Sequence, residues 1–344
     1  MAVEDFPARY WESAGGGAVR CKLCPNECVI APGKTGVCRA RAVRNGKLVS
    51  LTYGKVTSLA LDPVEKKPLY HFEPGSLLLS VGTFGCNFSC EFCQNYLISQ
   101  GNPGWEEVSP EELVEVTLKQ RKRYGKVTGI AYTYNEPTIW FEYVFETSRL
   151  AKQAGLRNVL VTNGYISPEP LEELLPLIDA MNIDVKAWKG EFYRKLVHGR
   201  LQPVLNTVER AARSCHVEVT HLVIPGENDS EDDMKELSSW IARINPAMPL
   251  HLSRYFPHHR MTTPPTPLST LEKLFRVARE RLHYVYVGNM WRSEFSRTLC
   301  PRCGRVLLER GPLELETSYL TPDKRCPECG RPADVVGEVH LGPG

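Results

Sequence analysis

Short apolar runs rich in β-branched residues recur through the middle of the chain, separated by longer amphipathic stretches. The runs are Leu77–Thr83, Val127–Tyr132, Asn158–Thr162, Met181–Val185, Val217–Ile224 and Pro249–Tyr255. Each reads as a buried strand. The stretches between them carry helix punctuation. Ser109-Pro-Glu-Glu112 is a capping box with proline at the first helical position, so a helix is expected to about Arg123. Thr138–Ala154 reads as a second helix, ended by Gly155. Ser167-Pro168 opens a third through Leu175, and Leu201–Arg213 is a fourth with Pro203 in its first turn. Ser230 caps a fifth to about Ile244, and Ser269–Leu282 is the sixth, with one further strand expected over His283–Val287. Repeated βα units imply a parallel sheet with right-handed crossovers. About six units are too few for a closed eight-fold barrel. The expected fold is therefore α/β, a partial (β/α)6 barrel, with its chemistry where strands end and loops begin.

The cysteines add two flanking modules to this core. Eleven of twelve fall into three tight groups. The front group is Cys21, Cys24, Cys28 and Cys38; the middle group is Cys86, Cys90 and Cys93; the back group is Cys300, Cys303, Cys326 and Cys329. Such spacings are those of metal ligands. They divide the chain into a four-cysteine module with its lead-in (1–69), the barrel (70–290) and a second four-cysteine module (291–344). Cys215 stands alone and reads as a small buried apolar residue.

Composition narrows the class. The chain has 344 residues, 42% hydrophobic and 24% charged, with net charge +2. That near-neutral balance argues against a protein whose main work is coating nucleic acid. The basic run Lys119–Lys126 closes a helix, where cations favour the helix dipole. The first residues, Met1-Ala-Val-Glu-Asp-Phe-Pro7, lack the apolar stretch of a secretory signal. The longest apolar run, around Ser76–Val81, falls well short of the roughly 20 residues that span a bilayer. A cytoplasmic protein without membrane contact or disulfides is expected.

Gly85-Cys-Asn-Phe-Ser-Cys-Glu-Phe-Cys-Gln94 follows the first core strand directly. Three thiolates can ligate three irons of a [4Fe-4S] cluster and leave the fourth iron open. An open position is what a catalytic metal needs. It can chelate the amino and carboxylate groups of a methionyl ligand, whose sulfonium then accepts an electron from the reduced cluster. The plainer alternative is a zinc site with its fourth ligand elsewhere. C-x3-C-x2-C with an aromatic before the last cysteine, here Phe92, resembles the signature of radical S-adenosylmethionine (SAM) enzymes.

The resemblance extends along the core. Thr133-Tyr-Asn-Glu-Pro-Thr138, after the second strand, stands where glycyl-radical-enzyme activases carry a Gly-Gly-Glu-Pro-like motif that binds the methionyl amine. The glycine pair is replaced, and Asn135 and Glu136 occupy the place. Val161-Thr-Asn-Gly-Tyr165 is similar to the activases' Thr-Asn-Gly and gives Thr162 and Asn163. Asp184-Val-Lys186 resembles their Asp-x-Lys, which implies Asp184 on the ribose hydroxyls and Lys186 on the SAM carboxylate. Leu222-Val-Ile-Pro-Gly226 resembles the segment that lines adenine, through Ile224, and is equally compatible with a plain core strand. His258 and His259, after the sixth strand, read as loop residues or as groups facing substrate.

The flanking groups read differently. Cys300-Pro-Arg-Cys-Gly304 and Cys326-Pro-Glu-Cys-Gly330 are two knuckles of a four-cysteine zinc ribbon, a closed structural site. Cys21, Cys24, Cys28 and Cys38 suit zinc or an auxiliary iron–sulfur cluster, with a structural metal slightly favoured.

Taken whole, the chain resembles the radical SAM enzymes of the AmmeMemoRadiSam system, relatives of the pyruvate formate-lyase activating enzyme. The marks are the front cysteines, Tyr53-Gly-Lys-Val56, Asp62-Pro-Val-Glu-Lys-Lys-Pro-Leu69, the Cys86 motif, Tyr134-Asn-Glu-Pro137 and the zinc-ribbon ending. The resemblance implies a [4Fe-4S] cluster, SAM and zinc as cofactors, and a ferredoxin- or flavodoxin-type electron donor. It also implies a protein substrate or Memo-type and AMMECR-type partners. Radical modification of RNA or of a small molecule is the alternative, and a non-catalytic zinc-binding interaction protein is disfavoured.

Overall fold

The computed structural model describes residues 6–290 and 293–341. The reading of the first five residues lies outside them.

The apolar runs become one eight-stranded sheet. Its strands are β1 (Ser58–Pro63), β2 (Leu77–Gly82), β3 (Val127–Tyr132), β4 (Arg157–Thr162), β5 (Ala180–Asp184), β6 (His216–Val223), β7 (Leu250–Arg254) and β8 (Val285–Gly288). Spatial order follows chain order from β1 to β8. β1 pairs antiparallel with β2, and every later pair is parallel. Six helices make the crossovers: α1 (Pro110–Tyr124), α2 (Phe141–Gln153), α3 (Pro168–Leu174), α4 (Leu201–Ala211), α5 (Glu231–Ile244) and α6 (Leu268–Arg279). Six βα units followed by a seventh parallel strand make the mostly parallel α/β fold expected from the pattern.

Local signals act where they were read. Ser109 and Glu112 close the capping box on α1. The Ser230 hydroxyl accepts from the Asp233 amide at the start of α5. Thr138–Ala154 differs in detail: a 3-10 turn over Pro137–Trp140 precedes α2.

The sheet has two unlike faces. Met181, Ile183, Val217, Val219, Leu250 and Leu252 join the main apolar core under the helices. The intervening positions on the other face include Asn182, Asp184, Glu218, Thr220, His251 and Tyr286. Charged side chains inside a sheet need partners, and the lead-in segment after β1 supplies them. Glu218 accepts from the amides of Tyr70 (3.0 Å) and His71 (2.7 Å) and pairs with His216 (2.9 Å) and His251 (2.6 Å). Burial opposes its charge, yet the bonds from both histidines hold its carboxyl well below the usual range.

The flanking modules dock on this frame. At the front, the strand Arg41–Arg44 places Arg41 in a buried ion pair with Glu142 of α2. At the back, Thr298–Leu299, Val306–Arg310 and Leu315–Ser318 form a three-stranded sheet over a small core of Leu307, Leu308 and Leu315. Arg310 leaves that sheet to lie 4.4 Å from the Tyr70 ring, and its guanidinium donates to the Tyr70 carbonyl. Among the described residues no helix is long and apolar enough to cross a membrane.

Candidate functional site

The loop from Thr83 to Cys93 leaves the carboxyl end of β2 and is pinned from three sides. Asn135, just past β3, accepts from the Thr83 amide (3.1 Å) and donates to the Gly85 carbonyl (2.9 Å). Asn87 donates to the Tyr165 carbonyl (2.7 Å) and accepts from Asn163 past β4 (2.9 Å). The Phe88 ring packs 4.6 Å from Tyr165 and so close to Gly199 that a Cβ there would meet it at 2.2 Å. Gly85 has φ +90°, and a Cβ on it would lie 2.4 Å from the Cys38 carbonyl oxygen. Only glycine serves at that point.

The loop delivers three thiols to one place. The Cys86 sulfur accepts from the Phe88 amide (3.4 Å) and faces the Asn163 amide nitrogen (3.7 Å). Cys93 sits 3.1 Å from the Ser99 hydroxyl. Burial and then the Glu136 charge push the Cys86 thiol well up. Burial pushes Cys90 up to about 12, against the Lys186 charge. Thiols this reluctant to ionise need a cationic centre to hold them as thiolates.

The residues proposed from the sequence around SAM converge on the same strand ends. Glu136 is buried and already accepts three bonds, from Thr138 N (2.9 Å), Thr162 Oγ1 (2.7 Å) and Asn163 N (2.8 Å). Burial raises its pKa, although those bonds oppose the rise. Asp184 and Lys186 pair with each other at 2.7 Å. The Lys186 amide donates to the Tyr193 hydroxyl (3.0 Å), and its carbonyl accepts from Asn228 (2.7 Å). Asn228 also takes the Ile224 amide (2.6 Å), which ties the ends of β5 and β6. Phe92 is buried beside Phe192. His259 stacks on Tyr96 at 4.8 Å, on a loop whose Arg260 amide reaches the Glu91 carbonyl.

Among the described residues, the back cysteines alone form a metal-ligand set whose donor atoms all lie within 4.8 Å of one another. Cys300 and Cys329 are 3.6 Å apart, as are Cys303 and Cys326. Zn–S bonds of about 2.3 Å in a tetrahedron put sulfurs about 3.8 Å apart, so this group could bind zinc. None of the twelve cysteines is joined in a disulfide.

A cavity of about 550 Å³ lies where the sheet fails to close. Lys66 and Tyr70 past β1, His251 and Ser253 of β7, and Arg310 and Leu313 of the back module line it.

Comparison with known proteins gives these features a family. The sequence profile described as the radical SAM superfamily matches residues 80–238. Uncharacterized protein MJ0808 of Methanocaldococcus jannaschii is 43% identical over 337 residues, 96% of this chain and 99% of that protein. The chain belongs to the radical SAM superfamily. Pyruvate formate-lyase 1-activating enzyme of Escherichia coli (strain K12) is 25% identical over 181 residues, 52% of this chain and 72% of its own length. A crystal structure of a domain of pyruvate-formate lyase-activating enzyme from Bacteroides vulgatus has a TM-score of 0.41 at 19% identity, covering 47% of this chain and 99% of that one.

Radical SAM membership implies a [4Fe-4S] cluster and SAM. The core thiols fit such a cluster: Cys90 is buried, the Cys86 sulfur accepts from the Phe88 amide, and the three are not gathered around one ion. Several of the groups that position them escaped the sequence reading. Asn87, Gly199, Tyr193 and Asn228 act through contacts with residues far along the chain. The misfit of Glu218 in an apolar strand was a visible signal.

Proposed function

We propose that this radical SAM enzyme abstracts a hydrogen atom from a protein substrate, as glycyl-radical activases do. One arrangement carries the reading. Cys86, Cys90 and Cys93 stand at the end of β2, beside the charges of Glu136 past β3 and of Asp184 and Lys186 at the end of β5. Those three cysteines would hold the cluster. Reduced and loaded with SAM, it supplies a 5′-deoxyadenosyl radical. The protein's own work is orientation. Glu136 would face the methionyl ammonium with its negative charge. Lys186 would turn from Asp184 to the methionyl carboxylate, which frees Asp184 for the ribose hydroxyls. Ile224 and Phe92 supply apolar contact. Asn135 and Asn163 fix the cysteine loop and take no part in proton movement.

Membership in the AmmeMemoRadiSam system would make Memo-type and AMMECR-type proteins the first substrates to try, with a ferredoxin- or flavodoxin-type donor in the cytoplasm. The test supplies each candidate protein, uniformly deuterated, to the reduced holoenzyme with SAM. Deuterium in 5′-deoxyadenosine supports the reading. Deuterium transferred only from labelled RNA would replace protein by RNA as the substrate.

A further inference from the structure

We propose that Cys21, Cys24, Cys28 and Cys38 hold a second iron–sulfur cluster, a closed [4Fe-4S] centre, which decides between the two metals their spacing leaves open. All four side chains line one pocket, closed by Leu23, Ile30 and Ile139. The Cys24 thiol feels Cys38, Cys21 and Cys28. Yet no three of these sulfurs gather within 4.8 Å of one another, as the back set does. One zinc ion draws its four ligands together at about 3.8 Å. A cubane binds each cysteine through a different iron and holds the sulfurs farther apart. The core thiols, in a loop that belongs to a known cluster-binding family, share this wider arrangement.

Arg41 is the second observation. It lines the same pocket, is 1% exposed, and its Nε is buried without a hydrogen-bond partner. Its other nitrogens bond Glu142 and the Arg9 carbonyl. Beside Cys21, whose thiol feels its charge, this cation suits an anionic centre ligated by the four sulfurs.

The position gives the centre its use. The Cys38 carbonyl lies against Gly85, Asn26 donates to the Asn87 carbonyl (2.7 Å), and Arg39 reaches the Ser99 carbonyl (2.6 Å). The residues around the front sulfurs thus grip both ends of the catalytic cysteine loop. A cluster with four cysteine ligands has no open iron, so it carries single electrons and binds no substrate.

The test uses the full chain with Cys86, Cys90 and Cys93 all changed to Ala, reconstituted anaerobically with iron and sulfide. The expected result is about four irons and about one zinc per chain, with a dithionite-reduced EPR signal that SAM does not alter. No iron with about two zincs would overturn the proposal. Should that variant fail to fold, the wild-type metal count decides: about eight irons support the proposal, and about four irons with two zincs refute it. Either outcome leaves 5′-deoxyadenosine formation by the wild type as a separate question.

Discussion

The front and back four-cysteine sets use one side chain in two geometries. The back sulfurs crowd within 4.8 Å of one another, on a small sheet with its own apolar core. The front sulfurs stand wider and belong to the main core of the molecule. The back set can be assembled by its own module; the front set is shaped by what it touches, above all the catalytic loop. Cysteine spacing along the chain does not separate the two cases, because it fixes which thiols can meet and not how far apart they stop.

The largest effect should come from removing the metal at the back. Structural zinc contributes about 10–16 kcal/mol in small zinc-finger domains. Cys326→Ser should therefore lose about one zinc per chain and open residues 298–341 to hydrogen exchange, with iron retained. Loss of iron together with zinc would show that the back module supports the core sites as well.

Backbone crowding separates the sets next. Gly85→Val places a branched side chain at φ +90° against the Cys38 carbonyl, 2.4 Å from its Cβ. It should cost about 3 kcal/mol or more and lower iron content, read by denaturation and metal analysis. The matching change in the back set, Gly304→Ala, meets nothing within 4 Å at φ +74°. It should cost only about 1–2 kcal/mol and spare the zinc.

The back seam carries a group that responds to acid. The front seam is the Arg41–Glu142 ion pair. At the back, His71 bonds the Asp334 carbonyl and the Tyr286 hydroxyl, both at 2.6 Å. Burial lowers its pKa from 6.5 to about 4. The unfolded chain therefore takes up a proton below pH 6.5 that the folded chain refuses. The stability this gives is complete above pH 6.5 and is lost as pH falls toward 4, about 3 kcal/mol in all. His71→Asn should flatten that part of the stability curve measured by urea denaturation, and an unchanged slope would place the titration elsewhere.

Much of the barrel was legible because buried strands and capped helices write themselves locally. Val127–Tyr132 coincides with β3, and Ser109 marks the start of α1. β1 was not read, because Ser58–Pro63 is an edge strand paired on one side only and its pattern is half exposed. At the site, the cysteines and the strand-end motifs were visible as residue types. Their fixings were not. Glu218 meets His71 across 147 positions, and Asn163 meets Asn87 across 76. Such pairs leave no local periodicity to read.

The most direct measurement is of 5′-deoxyadenosine released from SAM by the anaerobically reconstituted, dithionite-reduced protein. If Cys86, Cys90 and Cys93 hold a cluster with an open iron, the wild type forms the nucleoside and Cys90→Ala forms none. A wild type with intact iron–sulfur absorbance and no nucleoside, or a Cys90→Ala variant that still makes it, would contradict the assignment.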